Sequence, residues 1–141
     1  VGEGVITRID PASVPELFRR VGLRAVRGVF GGDFVGEPCG CITTALAFDA
    51  IGPDAGRKFV GKLETQSSPF VINEIFAREA LWIDPDYAVG LMFGWDGHRE
   101  PWSVAGFEDG RAAWEAAVSA GVAMMDGAGR FSVPWGGGEG S

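Results

Sequence analysis

Histidine, tyrosine and cysteine are scarce in this chain of 141 residues, which holds one His, one Tyr and two Cys. With His98 alone, any acid–base step near neutral pH must use that ring or a carboxylate of raised pKa. Cys39 and Cys41, one residue apart, could close only a small strained ring. That excludes a disulfide framework and fits a reducing, cytoplasmic setting. Two Cys and one His also fall short of the four N or S ligands that zinc ordinarily takes, so neither a metal site nor a cofactor is expected. No apolar run approaches the roughly 18 residues of a membrane span, and no basic segment leads into an apolar stretch as in an export signal. The expectation is a soluble protein with no membrane partner.

Basic residues are also in deficit. Twelve Lys and Arg against nineteen Asp and Glu give a net charge of −7, which repels phosphate backbones and argues against a nucleic-acid partner. The arginines of the first half, Arg8, Arg19, Arg20, Arg24 and Arg27, would have to gather on one face to reverse that locally. Gly31-Gly32-Asp33-Phe34-Val35-Gly36 superficially suggests a phosphate loop. It lacks the Lys-Ser/Thr ending of a triphosphate loop and the three-glycine dinucleotide fingerprint, so it reads as a flexible connection.

What the chain does have is apolar bulk: 46% hydrophobic residues, with five Trp and ten Phe. Disorder and coiled coil do not fit this composition. The length suits one domain that can bury roughly 68% of the unfolded surface. The expected organisation is a single mainly α-helical domain over 1–135, a compact bundle of about five helices, followed by a disordered Gly-rich tail over 136–141.

Helix signals recur along the chain. Ser13 and Glu16 form a capping-box pair ahead of Leu17 and Phe18, predicting a helix over 14–21 that stops at Gly22. Short extended segments are expected near Val5 and Val26. Pro38 at a first turn, then Cys41, Ile42, Ala45, Leu46, Phe48 and Ile51, predict a buried helix over 39–51. Asp54 caps the next segment, which should fade near Thr65. Ser68-Pro69 and Asp84-Pro85 open two more helices, and Ser103 caps a last one ending at Gly121.

An internal echo stands out. Gly90 and Gly94 lie four apart, as do Gly106 and Gly110, with a large apolar residue after the first of each pair. Each mid-helix glycine costs about 1 kcal/mol relative to alanine, so four of them require a compensating close approach. The spacing predicts that the last two helices pack tightly on each other or receive an aromatic.

Candidate chemistry centres on Cys39 and Cys41 at the expected helix start, where a dipole and open amides can stabilise a thiolate. Plain core packing explains the same two small residues without any chemistry. His98 lies in the loop Trp95-Asp96-Gly97-His98, where Asp96 could orient it and Cys41 could be its partner. Trp102 and Trp135, outside the expected helices, are candidates for binding contacts.

The wording Pro38-Cys39-Gly40-Cys41-Ile42-Thr43-Thr44-Ala45-Leu46, with Tyr87-Ala88-Val89-Gly90 and Gly94-Trp95-Asp96-Gly97, resembles small uncharacterised proteins of Planctomycete-type bacteria. That resemblance implies no activity. Gly106-Phe107-Glu108-Asp109-Gly110-Arg111 is similar to the glycine/aromatic repeat of ribosome modulation factor. The acidic balance argues against carrying over ribosomal RNA binding.

The leading expectation is a non-catalytic protein-interaction module binding another protein or itself. The alternatives are a small thiol-dependent enzyme or redox protein, using Cys41 with Cys39 as resolving thiol and His98 as base, and an acidic inhibitor or immunity-type protein.

Overall fold

The computed structural model describes residues 5–34, 36–98, 103–124 and 133–134. Among these the chain is mainly helical with one small sheet. The order is α1 (Val14–Val21), β1 (Arg24–Ala25), β2 (Gly31–Phe34), β3 (Glu37–Gly40), α2 (Ile42–Ile51), α3 (Pro53–Glu64), α4 (Pro69–Glu79), α5 (Pro85–Asp96), α6 (Val104–Ser119) and β4 (Val133–Pro134). Six α-helices therefore stand where about five were expected. The tail over 136–141 lies outside the described residues.

Helix starts follow proline and side-chain caps. Pro53, Pro69 and Pro85 each occupy a first helical turn, where the missing amide breaks no bond. Ser68 caps α4 through Phe70 N, Asp84 caps α5 through Tyr87 N, and Ser103 caps α6 through Gly106 N. Helices α1 and α5 end on Gly22 and Gly97, both left-handed at φ 77° and 78°. Ser13 departs from its expected role. Its hydroxyl donates to the Asp10 carbonyl at 2.7 Å, within a 3₁₀ turn over Pro11–Ser13 that Asp10 caps, so it makes no cap bond to α1. Asp54 likewise lies inside the first turn of α3, whose N-cap is Gly52.

The larger correction concerns 31–41. The expected flexible glycine connection is strand β2, and the expected helical turn at Cys39 is strand β3. The two form an antiparallel hairpin pairing Gly31 with Gly40 and Phe34 with Glu37. Strand β1 runs parallel to β3, meeting it at Cys39 and Gly40, in the sheet order β1-β3-β2-β4, and its Ala25 also bridges to Ala123. Pro38 thus lies where the β1 side of the sheet has ended, and its missing amide costs no ladder bond. Helix α2 begins only at Ile42, with Cys41 as its N-cap. The extended segments expected near Val5 and Val26 reduce to a bridge between Ile6 and Ile83 and to the two residues of β1.

An aromatic column runs through the core. Phe18 of α1 stacks on Trp95 of α5 at 5.6 Å between ring centroids, and Trp95 meets Trp114 of α6 edge-on at 5.1 Å. Trp95 is fully buried, and its indole N–H donates to the Val26 carbonyl at 2.7 Å. That bond supplies the partner a buried indole requires.

The four echoing glycines sit at the α5–α6 contact, as expected. A Cβ placed on any of them would overlap backbone of the other helix: Gly90 faces the carbonyl of Ser103, Gly94 that of Phe107, Gly106 that of Tyr87 and Gly110 that of Leu91. One rule covers all four. With Gly90 opposite Gly106 and Gly94 opposite Gly110, each glycine meets the carbonyl three residues before its opposite number. The contacts advance in the same sense along both helices, so α5 and α6 cross in parallel with approximate two-fold symmetry. Each glycine points a Cα hydrogen where the side chain would be, directly at an oxygen. Such C–H···O contacts recur at close helix crossings and are individually weak. The tight backbone packing they accompany is what offsets the low helix propensity of glycine.

Candidate functional site

Backbone geometry at the β3–α2 junction fixes the two thiols. Gly40 between them has no room for a side chain, because a Cβ there would lie 2.9 Å from Thr44 Cγ2 and 3.0 Å from Leu23 Cδ1. The Cys41 amide donates to the Phe30 carbonyl at 2.9 Å, and the Thr44 hydroxyl donates to the same oxygen at 2.6 Å. Thr44 has then spent its proton. In the 3.7 Å contact between Cys41 Sγ and Thr44 Oγ1 the thiol must therefore be the donor. Cys39 has other partners, the Glu37 carbonyl at 3.4 Å and Met124 Sδ at 3.1 Å. Both cysteines are buried thiols.

A cavity of about 50 Å³ opens beside Cys41, lined by Gly28, Val29, Phe30, Met92, Trp95 and Asp96 as well. Helix α5 delivers Met92 and Asp96 one turn apart, on the side of Trp95 that faces the loop before β2. Gly28 N donates to Asp96 Oδ1 at 3.0 Å, and Arg27 Nε donates to the Trp95 carbonyl at 2.8 Å. The Arg27 guanidinium lies 4.5 Å from the centre of the Trp114 ring.

Burial, and secondarily the Asp96 charge, push the Cys41 thiol up to about 11. Burial also raises Asp96, opposed by the Gly28 amide, His98 and Arg27. The position at a helix start suggested a stabilised thiolate; here desolvation outweighs the Thr43 and Thr44 backbone amides that favour it, and the neutral thiol is the resting form at neutral pH.

The expected partner His98 is exposed, edge-on to Phe93 at 5.4 Å, and does not line the Cys41 cavity. The structure thus brings Cys41 together with Asp96 and Met92 rather than with His98. Trp102 and Trp135 lie outside the described residues. Among the described residues no three His, Cys, Asp or Glu side chains cluster as metal ligands.

A second polar cluster was not anticipated. Arg8 clasps Asp109 with two bonds, Nε to Oδ2 at 2.7 Å and Nη2 to Oδ1 at 3.0 Å. The Tyr87 hydroxyl donates to Asp109 Oδ2 at 2.5 Å and accepts from the Ile9 amide at 2.9 Å. The partners lie 101 and 22 residues from Asp109, a separation that no local pattern reveals. Burial alone would raise Asp109; the bonds from Arg8 and Tyr87 outweigh it and hold the carboxyl below its usual range. This cluster straps the N-terminal segment across α5 and α6.

Arg19 and Arg24 line one surface pocket together with Glu37, and each of the arginines Arg19, Arg20 and Arg24 lies near a carboxylate. Arg20 pairs with Asp49, Arg24 with Glu37 and with the carbonyls of Val122 and Ala123, and Arg19 approaches Glu16.

Several large apolar side chains are exposed. Phe70 is 70% exposed at the start of α4, and Leu81 is 73% exposed in the turn beyond its end. Helix α4 buries Ile72, Ile75 and Phe76. At 100° per residue, Phe70 and Ala77 fall on the opposite side. Among the described residues no helix is long and apolar enough to cross a membrane. No family model, curated protein or solved structure matches this chain.

Proposed function

We propose that this chain is a non-catalytic protein-interaction module working in a reducing, cytoplasmic setting. It grips its partner through the outer side of α4 and the turn that follows. The observation that carries the reading is the high exposure of Phe70 and Leu81, side chains large enough to anchor an interface core. A net charge of −7 selects the partner: a second copy of the chain is repelled, whereas a protein presenting basic residues around an apolar centre is attracted. The neutral, buried Cys41 thiol and the separately placed His98 supply no thiolate–base pair, which is why the binding reading ranks above the thiol enzyme.

The test is calorimetric titration of the full chain with two designed helical peptides, one of Leu and Lys and one of Leu and Glu. The reading expects the Leu/Lys peptide alone to bind, more weakly as salt rises. The paired substitution Phe70→Ser and Leu81→Ser should abolish binding while circular dichroism stays unchanged. Binding that survives this substitution would be charge attraction without an apolar anchor, and would overturn the assignment, as would no binding at all.

A further inference from the structure

We propose that the surface beneath residues 5–10 is a docking site for an extended partner segment presenting an arginine between two β-branched side chains. Residues 5–10 occupy this site in cis as a displaceable strap. The strap touches the fold as a bound peptide would. The Ile6 amide donates to the Trp82 carbonyl and the Ile6 carbonyl accepts from the Asp84 amide, both at 2.9 Å, in a parallel bridge to Ile83. The Ile9 amide donates to the Tyr87 hydroxyl, and Arg8 binds Asp109 through both carboxylate oxygens. Main-chain bonds that hold an extended segment, with side chains that specify its identity, are the elements of recognition by strand addition.

The two sides of this contact differ in burial. Val5, Thr7, Arg8 and Asp10 of the strap are exposed, whereas Ile83, Tyr87 and Asp109 beneath it are buried. The strap also has a hinge that holds without it. Asp10 caps the turn over Pro11–Ser13 with its side chain and accepts the Ser13 hydroxyl on its carbonyl, bonds that involve none of residues 5–9.

Lifting the strap takes the guanidinium away from Asp109 and leaves an anion without its counter-charge between α5 and α6. An arginine from a partner restores two parallel N–H···O bonds, which lysine cannot do. Ile6 and Ile9 mark the places of the flanking apolar side chains, both packed against the core, while the exposed Thr7 position imposes no requirement. The net charge of −7 favours a basic segment of another protein over a second copy of this chain.

The experiment titrates the full chain by calorimetry with a capped peptide of the sequence of residues 5–10. The strap competes in wild type, so the paired substitution Ile6→Ser and Arg8→Ala, which loosens it, should tighten peptide binding about 10-fold or more. In that background, lysine in place of the peptide's arginine should weaken binding by about 10-fold, and Asp109→Asn should abolish it. Phe70→Ser should leave it unchanged, which separates this site from the α4 surface. The proposal is overturned if the loosened chain binds no more tightly than wild type, if lysine serves as well as arginine, if Asp109→Asn still binds, or if binding needs Phe70. Sedimentation that finds a dimer lost with the loosened strap would also overturn it, because the occupant would then be a second copy. Should the loosened chain fail to fold, hydrogen exchange on wild type decides. The amides of Ile6, Ile9 and Asp84 should exchange through local opening, at least about 10-fold faster than that of Leu91 in α5. Exchange of all four by global unfolding alone would overturn the proposal.

Discussion

Tyr87 gives its only hydroxyl proton to Asp109 Oδ2 at 2.5 Å, joining α5 to α6 beneath the N-terminal segment. Asp109→Ala leaves that buried hydroxyl without its acceptor, and the cost should be about 1–3 kcal/mol, typical of an orphaned buried polar group. Arg8→Ala should cost less, because the Arg8 side chain is 61% exposed and water replaces its partner. Urea unfolding midpoints of the two variants check the order.

The same cluster sets an acid limit. Asp109 is held below its usual range in the folded chain, whereas an unfolded Asp titrates near pH 3.9. Its contribution is therefore complete above about pH 4 and is lost as pH falls through the lower folded value. Wild type should lose stability on acidification more steeply than Asp109→Ala, measured as midpoint against pH. Parallel curves would contradict the assignment.

Cys41 works in the opposite direction. Its thiol is raised to about 11 when folded, mainly by burial, while an unfolded cysteine titrates near pH 8.5. Stability from the neutral buried thiol is complete below about pH 8.5 and is lost as pH rises towards 11. Alkylation of native protein at neutral pH should be slow, and Cys41→Ala should remove part of the alkaline loss. Rapid neutral alkylation of Cys41 would mean an accessible thiolate that the buried site does not provide.

Trp95→Phe keeps a ring against Phe18 but removes the bond to the Val26 carbonyl. The loss should be about 1–3 kcal/mol for the orphaned carbonyl, with a further contribution from the smaller ring. Thermal unfolding of the variant reads it, and near-ultraviolet circular dichroism should show the loss of the Trp95–Trp114 contact.

Helix positions were legible wherever local chemistry decides them. Pro53, Pro69 and Pro85 open helices, Gly22 and Gly97 close them, and Ser68, Asp84 and Ser103 make the cap bonds that their sequence context implies. The hairpin was not legible, because Gly31-Gly32-Asp33-Phe34 and Glu37-Pro38-Cys39-Gly40 alternate neither in polarity nor in β-branched residues. Their pairing is imposed by tertiary bonds, such as Val26 N to the Gly40 carbonyl and Cys41 N to the Phe30 carbonyl. The same holds for the site. Cys41 could be singled out from its position, but Met92 reads in sequence as ordinary helix filling, and only the fold sets it beside Cys41 and Asp96. Asp109 reads as a favourable charge early in a helix; its burial depends on Arg8, at the far end of the chain.

The glycine crossing of α5 and α6 is the relationship on which the fold turns, and alanine at Gly94 and at Gly110, each alone, tests it most directly. In an ordinary helix the exchange would stabilise by about 1 kcal/mol through propensity. Here the new methyl would overlap the carbonyl of Phe107 or of Leu91, backbone that cannot turn aside as a side chain can. Overpacking of this kind typically costs about 1–3 kcal/mol, enough to reverse the sign. Urea midpoints of both variants below wild type are the predicted result; midpoints equal to or above wild type would contradict the close parallel crossing.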